Sequence, residues 1–160
     1  MQASCVIEKS APNHTMKYLL VLLLPLAVAL TAGASEKAGD SQDIQGTWLP
    51  IEAELGGKPM GNDFITSTTL TLNDGKYEVV VAGAADKGTY RIDPALKPKT
   101  LDITGTEGPN VGKTFPAIYE LRGDTLRICY GLGGNARPTE FKSPPGTQHF
   151  LVTYKRKKVK

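Results

Sequence analysis

Residues 64–82 read FITSTTLTLNDGKYEVVVA, and this stretch decides the fold class of the chain. Two runs rich in β-branched and apolar residues, Phe64–Leu72 and Lys76–Ala82, flank the triplet Asn73-Asp74-Gly75. A connection this short forces the two runs into an antiparallel hairpin, in which Gly75 supplies a positive φ. The stretch therefore predicts two strands that are neighbours in both sequence and space.

Similar runs of five to about nine residues recur from residue 44 to residue 156, separated by Gly, Pro, Asn and Asp. A second tight link, Arg122-Gly123-Asp124, predicts another hairpin. Pro50 lies inside the first run and predicts a bulge, a bend or an edge position there. Residues 63–65 or 138–141 have room for one helical turn. The eight predicted strands are Ile44–Leu55, Phe64–Leu72, Lys76–Ala82, Gly88–Asp93, Thr100–Thr104, Thr114–Leu121, Thr125–Tyr130 and His149–Arg156.

The composition agrees with short strands rather than long helices. The chain has 160 residues, and 16 of its 17 glycines and 9 of its 11 prolines follow residue 34. Eight consecutive antiparallel strands favour an up-and-down meander that closes on itself, because closure removes exposed sheet edges. We expect an all-β fold, a small eight-stranded antiparallel barrel. A two-sheet sandwich is the alternative.

The amino-terminal part predicts export. Residues 18–30 read YLLVLLLPLAVAL, follow Lys17 and precede Ala32-Gly33-Ala34, which is the pattern of a secretory signal peptide cleaved after Ala34. The apolar run is too short to span a membrane as a helix, so a retained anchor is the weaker alternative. Met16 is a better start than Met1. We expect an extension and signal over residues 1–34, a linker over 35–43, a barrel over 44–156 and a basic tail over 157–160.

The first strand contains Gly46-Thr47-Trp48, and the last strand ends at Arg156. This pattern resembles that of lipocalins and related calycins, in which a G-x-W motif places Trp across the closed end of a barrel and a basic residue packs on it. Because the first and last strands pair at closure, Trp48 and Arg156 could form a cation–π contact.

A second resemblance covers residues 44–156. It is carried by the strings QGTW, KGTYRIDP, KPKTLDIT, EGPNVGKT, YELRGDTLRICY and RPTEF, in that order. They are similar to a small secreted domain described as lipocalin-like and abundant in planctomycetes. The resemblance implies a lipocalin-like fold and an exported protein. It implies no catalytic residue.

A ligand, if one is bound, is expected inside the barrel. We assign the 18-residue connection Gly131–Gln148 either to a structural latch, with Arg137 and Glu140 pairing with one another or with strand ends, or to a contact at the barrel mouth. Arg127 is expected to point outward, because Leu126, Ile128 and Tyr130 alternate with it. The candidate interior residues are Tyr77, Val79, Tyr90, Phe115, Ala117 and Tyr119, and the candidate mouth residues are Arg137 and Phe141.

The sequence gives only weak indications of a catalytic pair, a phosphate-binding loop or a metal site. Cys129 and His149 lie at the same predicted rim, but a thiolate–imidazole pair needs close contact and a lowered thiol pKa. The loop EGPNVGKT has three residues between its glycines where a phosphate-binding loop needs four, and a strand follows it. The spacing of His, Cys and carboxylates matches no metal motif. We therefore expect neither a metal nor a cofactor.

The positive sign of the net charge of +3 comes from the carboxyl-terminal residues 155–160, which carry five basic side chains. This distribution argues against a nucleic-acid-binding face, although such a tail could touch anionic envelope material. We expect a monomeric, exported, non-enzymatic binding module in the periplasm or medium, with a small apolar ligand. The alternatives are a filled barrel that presents its loops to a protein or envelope component and, third, an enzyme.

Overall fold

The computed structural model describes residues 39–134 and 136–158. A helical segment at residues 39–43 precedes the first strand, and one further helix, α1 (Asn62–Ser67), follows the second strand. The strands of these described residues are β1 (Gly46–Leu55), β2 (Lys58–Pro59), β3 (Thr68–Asn73), β4 (Lys76–Val81), β5 (Ala84–Asp93), β6 (Lys99–Glu107), β7 (Thr114–Arg122), β8 (Thr125–Gly131) and β9 (His149–Arg156). The predicted signal peptide, its cleavage site and the alternative start lie outside the described residues.

The long strands form a closed barrel. They follow the order β1-β3-β4-β5-β6-β7-β8-β9, each neighbour antiparallel, and β9 pairs back onto β1 from Trp48↔Arg156 to Leu55↔Phe150. The two-residue strand β2 pairs with the end of β1. The predicted all-β, eight-stranded up-and-down barrel is therefore confirmed. The register of β1 shifts between Pro50 and Glu52, which confirms the irregularity predicted at this proline.

Two predicted strand boundaries are wrong. The run Phe64–Leu72 begins as helix α1, and β3 starts only at Thr68. The hydroxyl groups of Thr66 and Ser67 donate to carbonyl oxygens of Asn62 and Asp63, so β-branched and small polar residues serve a helical turn here. Strand β5 begins at Ala84, four residues before the predicted Gly88, because a two-residue turn at Ala82-Gly83 returns the chain directly into pairing.

The structure describes residues 39–43 of the predicted linker. Residues 39–43 are helical, and Asp40 is held against the barrel. The Tyr119 hydroxyl donates to Asp40 Oδ2 at 2.7 Å, and Lys99 Nζ lies 2.8 Å from the same oxygen. This segment therefore packs on the barrel end through Asp40.

The two ends of the barrel differ. At the end where β1 begins, Trp48 is fully buried and its indole N–H donates to the Ile44 carbonyl at 2.9 Å. We call this the Trp48 end. The opposite end is bordered by α1, the Ala82-Gly83 turn and the connection between β6 and β7. We call it the cavity end, because the barrel interior is open there.

Candidate functional site

The cavity end contains a cavity of about 500 Å³, which lies within the usual size range of small-molecule sites. Strand alternation builds its walls, since Thr68 and Leu70 of β3, Tyr77 and Val79 of β4 and Asp86 of β5 all face inward. The apolar part of the wall comprises Leu70, Val79, Val81, Ile103, Phe115 and Leu132.

Aromatic rings from α1, β8 and β9 border one side of this cavity. The rings of Phe64 and Phe150 meet edge to face with centroids 5.7 Å apart. Phe150 also stacks on Tyr130 at 6.0 Å. Such pairs hold rings in defined positions, so α1 is fixed against the last strand at the cavity mouth.

A polar cluster forms the opposite side. The Tyr77 hydroxyl donates to Asp86 Oδ2 at 2.8 Å, the Asn110 backbone N–H donates to Asp86 Oδ1 at 3.0 Å, and Asn110 Nδ2 donates to Oδ2 at 3.2 Å. Asp86 is only 6% exposed. The carboxylate thus fastens the β6–β7 connection, through Asn110, to the cavity wall.

Two further tyrosines, Tyr130 and Tyr154, also line the cavity. Burial raises the pKa of both hydroxyls, and burial followed by the bond to Asp86 raises the pKa of Tyr77. All three groups therefore stay neutral near pH 7. They can donate and accept hydrogen bonds, but they are poor nucleophiles and poor bases.

Thr68 is the most informative lining residue. Its side chain is 3% exposed and faces the cavity, and its hydroxyl oxygen has no hydrogen-bond partner among the described residues. A buried hydroxyl without a partner costs free energy, because it has lost its water. The position is therefore ready to bond a polar atom that enters the cavity.

The predicted interior residues separate into two groups. Tyr77, Val79 and Phe115 line the cavity. Tyr119 instead reaches Asp40 at the Trp48 end, and Ala117 belongs to the packed core. Tyr90 is buried and borders a second, more polar cleft of about 530 Å³ beside residues 41–45.

The structure places Arg137 and Phe141 on the outer wall, away from the cavity mouth. Arg137 Nη1 donates to the carbonyl oxygens of Leu101 and Ala117 at 3.0 and 2.6 Å, and its Nη2 lies 2.7 Å from Asp102 Oδ1. The outward-facing guanidinium of Arg127 lies over the Phe141 ring, 5.2 Å from the ring centroid. The 132–148 connection is therefore a latch across β6, β7 and β8.

The residues compared with the G-x-W motif meet at the Trp48 end. The Arg156 guanidinium lies 4.2 Å from the centroid of the Trp48 ring and donates to the Gln45 and Asp43 carbonyl oxygens. A Cβ atom at Gly46 would lie 2.9 Å from Arg156 Nη1. Gly46 also has φ 129, a backbone conformation that favours glycine.

Cys129 and His149 do not form a catalytic pair in this arrangement. Cys129 is fully buried, and its thiol donates to the Lys142 carbonyl under the latch. Burial raises the pKa of this thiol, which opposes formation of a thiolate. Across residues 39–134 and 136–158, no group of three or more His, Cys, Asp or Glu is placed to hold a metal ion.

Sequence reasoning missed Thr68, Asp86, Asn110 and Lys113. Asp86 had a usable signal, since it stands two and four residues before Gly88 and Tyr90 and so shares their inward face. Asn110 and Lys113 belong to the glycine-rich loop EGPNVGKT, whose sequence resembles a phosphate-binding loop only superficially. Their convergence on the cavity depends on how that loop folds back, which spacing alone does not encode.

The fold and the cavity define a closed eight-stranded antiparallel β-barrel with an apolar interior site, an architecture compatible with the lipocalin-like fold. In the described part of the chain, the helices are too short or too polar to cross a membrane. Comparisons with protein-family models, curated proteins and solved structures gave no match to this chain.

Proposed function

We propose that this protein is an exported, non-enzymatic binding protein that holds a small, largely apolar molecule in the cavity end of its barrel. The observation that carries this proposal is the 500 Å³ cavity with the unpartnered Thr68 hydroxyl in its wall. A packed barrel that acted only through its loops would have no reason to keep a buried polar group facing an open space. The cavity therefore favours ligand binding over the filled-barrel alternative.

Neighbouring residues on β4 provide a direct test. Val79 lines the cavity, whereas Val80 belongs to the opposite face of the same strand. We expect a neutral fluorescent probe, N-phenyl-1-naphthylamine, to bind the wild-type protein, and Val79→Phe to weaken binding by about tenfold because the added ring occupies the cavity.

The matched control is Val80→Phe, which adds the same ring outside the cavity and should leave probe affinity within about twofold. Circular dichroism verifies that both variants are folded. Absence of probe binding by the wild-type protein, or equal loss in both variants, would contradict the proposal.

Export and family membership belong to the same proposal. The pattern of residues 16–34 supports cleavage after Ala34. The ordered strings from QGTW to RPTEF support membership of the small secreted lipocalin-like domains that are abundant in planctomycetes. Intact-mass measurement of protein recovered from the periplasm or medium should give a chain that begins at Ser35. Recovery of the uncleaved chain from the membrane fraction would favour a retained anchor.

A further inference from the structure

Asp86 is a buried carboxylate without a cationic partner. It is 6% exposed and faces the cavity, and no Lys, Arg or His nitrogen of the described residues lies within 4.0 Å of it. Lys87, the next residue, points to the outer face, where its Nζ is 3.4 Å from Glu78. Asp and Glu are rarely this buried unless they are paired, so the uncompensated charge of Asp86 is unusual.

The hydrogen bonds of Asp86 all come from neutral groups and supply no positive charge. Its donors are the Tyr77 hydroxyl and the backbone and side-chain N–H groups of Asn110, all of which are neutral. Oδ1 accepts one of these bonds and Oδ2 accepts two. Since a carboxylate offers about four acceptor positions, these three bonds leave Asp86 able to accept one more.

The rest of the cavity suits a cation on an apolar body. The rings of Tyr77, Phe115, Tyr130, Phe150 and Tyr154 line the same cavity as Asp86, and aromatic rings attract an ammonium group. The unpartnered Thr68 hydroxyl adds one acceptor for an N–H group. The apolar side chains Leu70, Val79 and Ile103 can cover a hydrocarbon body.

We infer that the cavity binds an organic amine, with a protonated ammonium group against Asp86 and an aliphatic or aromatic body against the apolar wall. This inference rests on the proposed function and names its ligand class. Lys113 lines the same cavity, but it is solvent-exposed at the mouth. An anion that reached Lys113 from inside the cavity would place its own charge near the buried carboxylate.

A ligand series with one body and three head groups tests the inference in the wild-type protein. Octylamine, 1-octanol and octanoate are titrated by isothermal calorimetry at neutral pH. We expect octylamine to bind at least about tenfold more tightly than 1-octanol, and octanoate to bind most weakly. The preference for the amine should change little with added salt, because a buried ion pair is weakly screened.

The variant Asp86→Asn should remove the preference for octylamine over 1-octanol while 1-octanol still binds. Its matched control is Glu78→Gln, which makes the same acid-to-amide change on the outer face of β4 and should retain the preference. Circular dichroism and thermal unfolding verify that the β6–β7 connection and the barrel persist in Asp86→Asn. The wild-type series needs no variant and therefore decides the matter even if Asp86→Asn unfolds.

The outcomes separate the inference from the proposed function. Equal affinity for octylamine and 1-octanol overturns the inference and leaves a neutral-ligand binding protein. Tightest binding of octanoate, lost in Lys113→Gln, also overturns it and assigns an anionic ligand. Failure of all three compounds and of N-phenyl-1-naphthylamine overturns the proposed function itself.

Discussion

Thr68 illustrates the cost to stability of a single buried hydroxyl group. Its hydroxyl is buried at the cavity wall without a partner, although Leu70 and Leu72 on the same face of β3 are ordinary core residues. We expect Thr68→Val to raise the free energy of unfolding by about 1 kcal/mol, because valine fills a similar volume without a buried polar atom. Urea denaturation measures the change.

The matched control is Thr69→Val on the outward face of the same strand, which should be within about 0.5 kcal/mol of wild type. A loss of stability in Thr68→Val would mean that the hydroxyl is satisfied in solution by water in the cavity.

The predicted interior residues show how far strand alternation alone can locate the cavity. The inward positions of Tyr77, Val79 and Phe115 follow from strand alternation, and the structure places them in the cavity. Alternation gives the face but not the height along the barrel, so it does not distinguish them from Tyr119, which is inward at the other end. Height depends on strand register, and register is fixed by pairing between distant segments.

At the scale of elements, the turn between β4 and β5 contains a strained residue. Ala82 has φ 49 and Gly83 has φ 85, so both central positions of this two-residue hairpin are left-handed. Asparagine tolerates this conformation better than alanine, and Asn-Gly is a favoured pair in such turns. We expect Ala82→Asn to stabilise the protein by about 0.5–1 kcal/mol in urea denaturation.

Ala85→Asn, three residues further in β5, is the control and should be neutral or destabilising, because asparagine is disfavoured inside strands. Equal effects of the two substitutions would argue against relief of backbone strain.

Gly88 allows β5 to lie close to the backbone of β6 and to the ring of Tyr77 on β4. A Cβ atom there would lie 1.9 Å from the Thr104 carbonyl oxygen and 2.7 Å from Tyr77 Cε1. We expect Gly88→Ala to cost about 3 kcal/mol or more, since neither backbone nor packed ring can move away cheaply. Thermal and urea unfolding measure the loss.

The control is Gly61→Ala, where a Cβ atom has open space around it and the change should lie within about 0.5 kcal/mol. A mild effect of Gly88→Ala would show that β5 and β6 can separate where their register shifts, between Lys87 and Gly88.

The latch is held to the barrel chiefly by Arg137. Replacing it by glutamine removes three hydrogen bonds to β6 and β7, one of them to the Asp102 carboxylate. We expect a loss of about 1–3 kcal/mol and faster chymotrypsin cleavage after Phe141, because the 132–148 connection detaches from the wall.

Arg91→Gln, at an exposed position of β5, serves as the control and should change neither property. Unchanged protection of Phe141 in Arg137→Gln would mean that the contacts of Arg127 with Phe141 and of Cys129 with Lys142 are enough to hold the latch.

At the scale of the whole molecule, local signals predicted the meander and its closure better than they predicted the site. Tight turns such as Asn73–Lys76 force sequential pairing, so the strand order follows from short connections. The cavity arises differently. It remains because Trp48 and the helical segment at residues 39–43 fill only one end, while Arg137 and Phe141 of the 132–148 connection pack outside the barrel.

The buried tyrosines couple the stability of the whole barrel to alkaline pH. Burial raises the pKa of each hydroxyl above the ordinary value of 10.0 in Tyr77, Tyr90, Tyr119, Tyr130 and Tyr154. Below about pH 10 both folded and unfolded chains keep these protons, so stability is unaffected. Above it the unfolded chain loses protons that the folded chain retains, and the free energy of unfolding must fall as pH rises.

Each tyrosine contributes a decline of up to about 1.4 kcal/mol per pH unit in this range. We therefore expect urea midpoints to be level from about pH 8 to pH 9 and to fall steeply above pH 10. Tyrosinate absorbance should rise together with the loss of far-ultraviolet circular dichroism. Tyr154→Phe should reduce the slope with which the urea midpoint falls as pH rises above about 10. Titration of these tyrosines near pH 10 in a chain that retains its strand signal would show that solvent reaches the barrel interior freely, which the packing of Tyr119 and Tyr130 argues against.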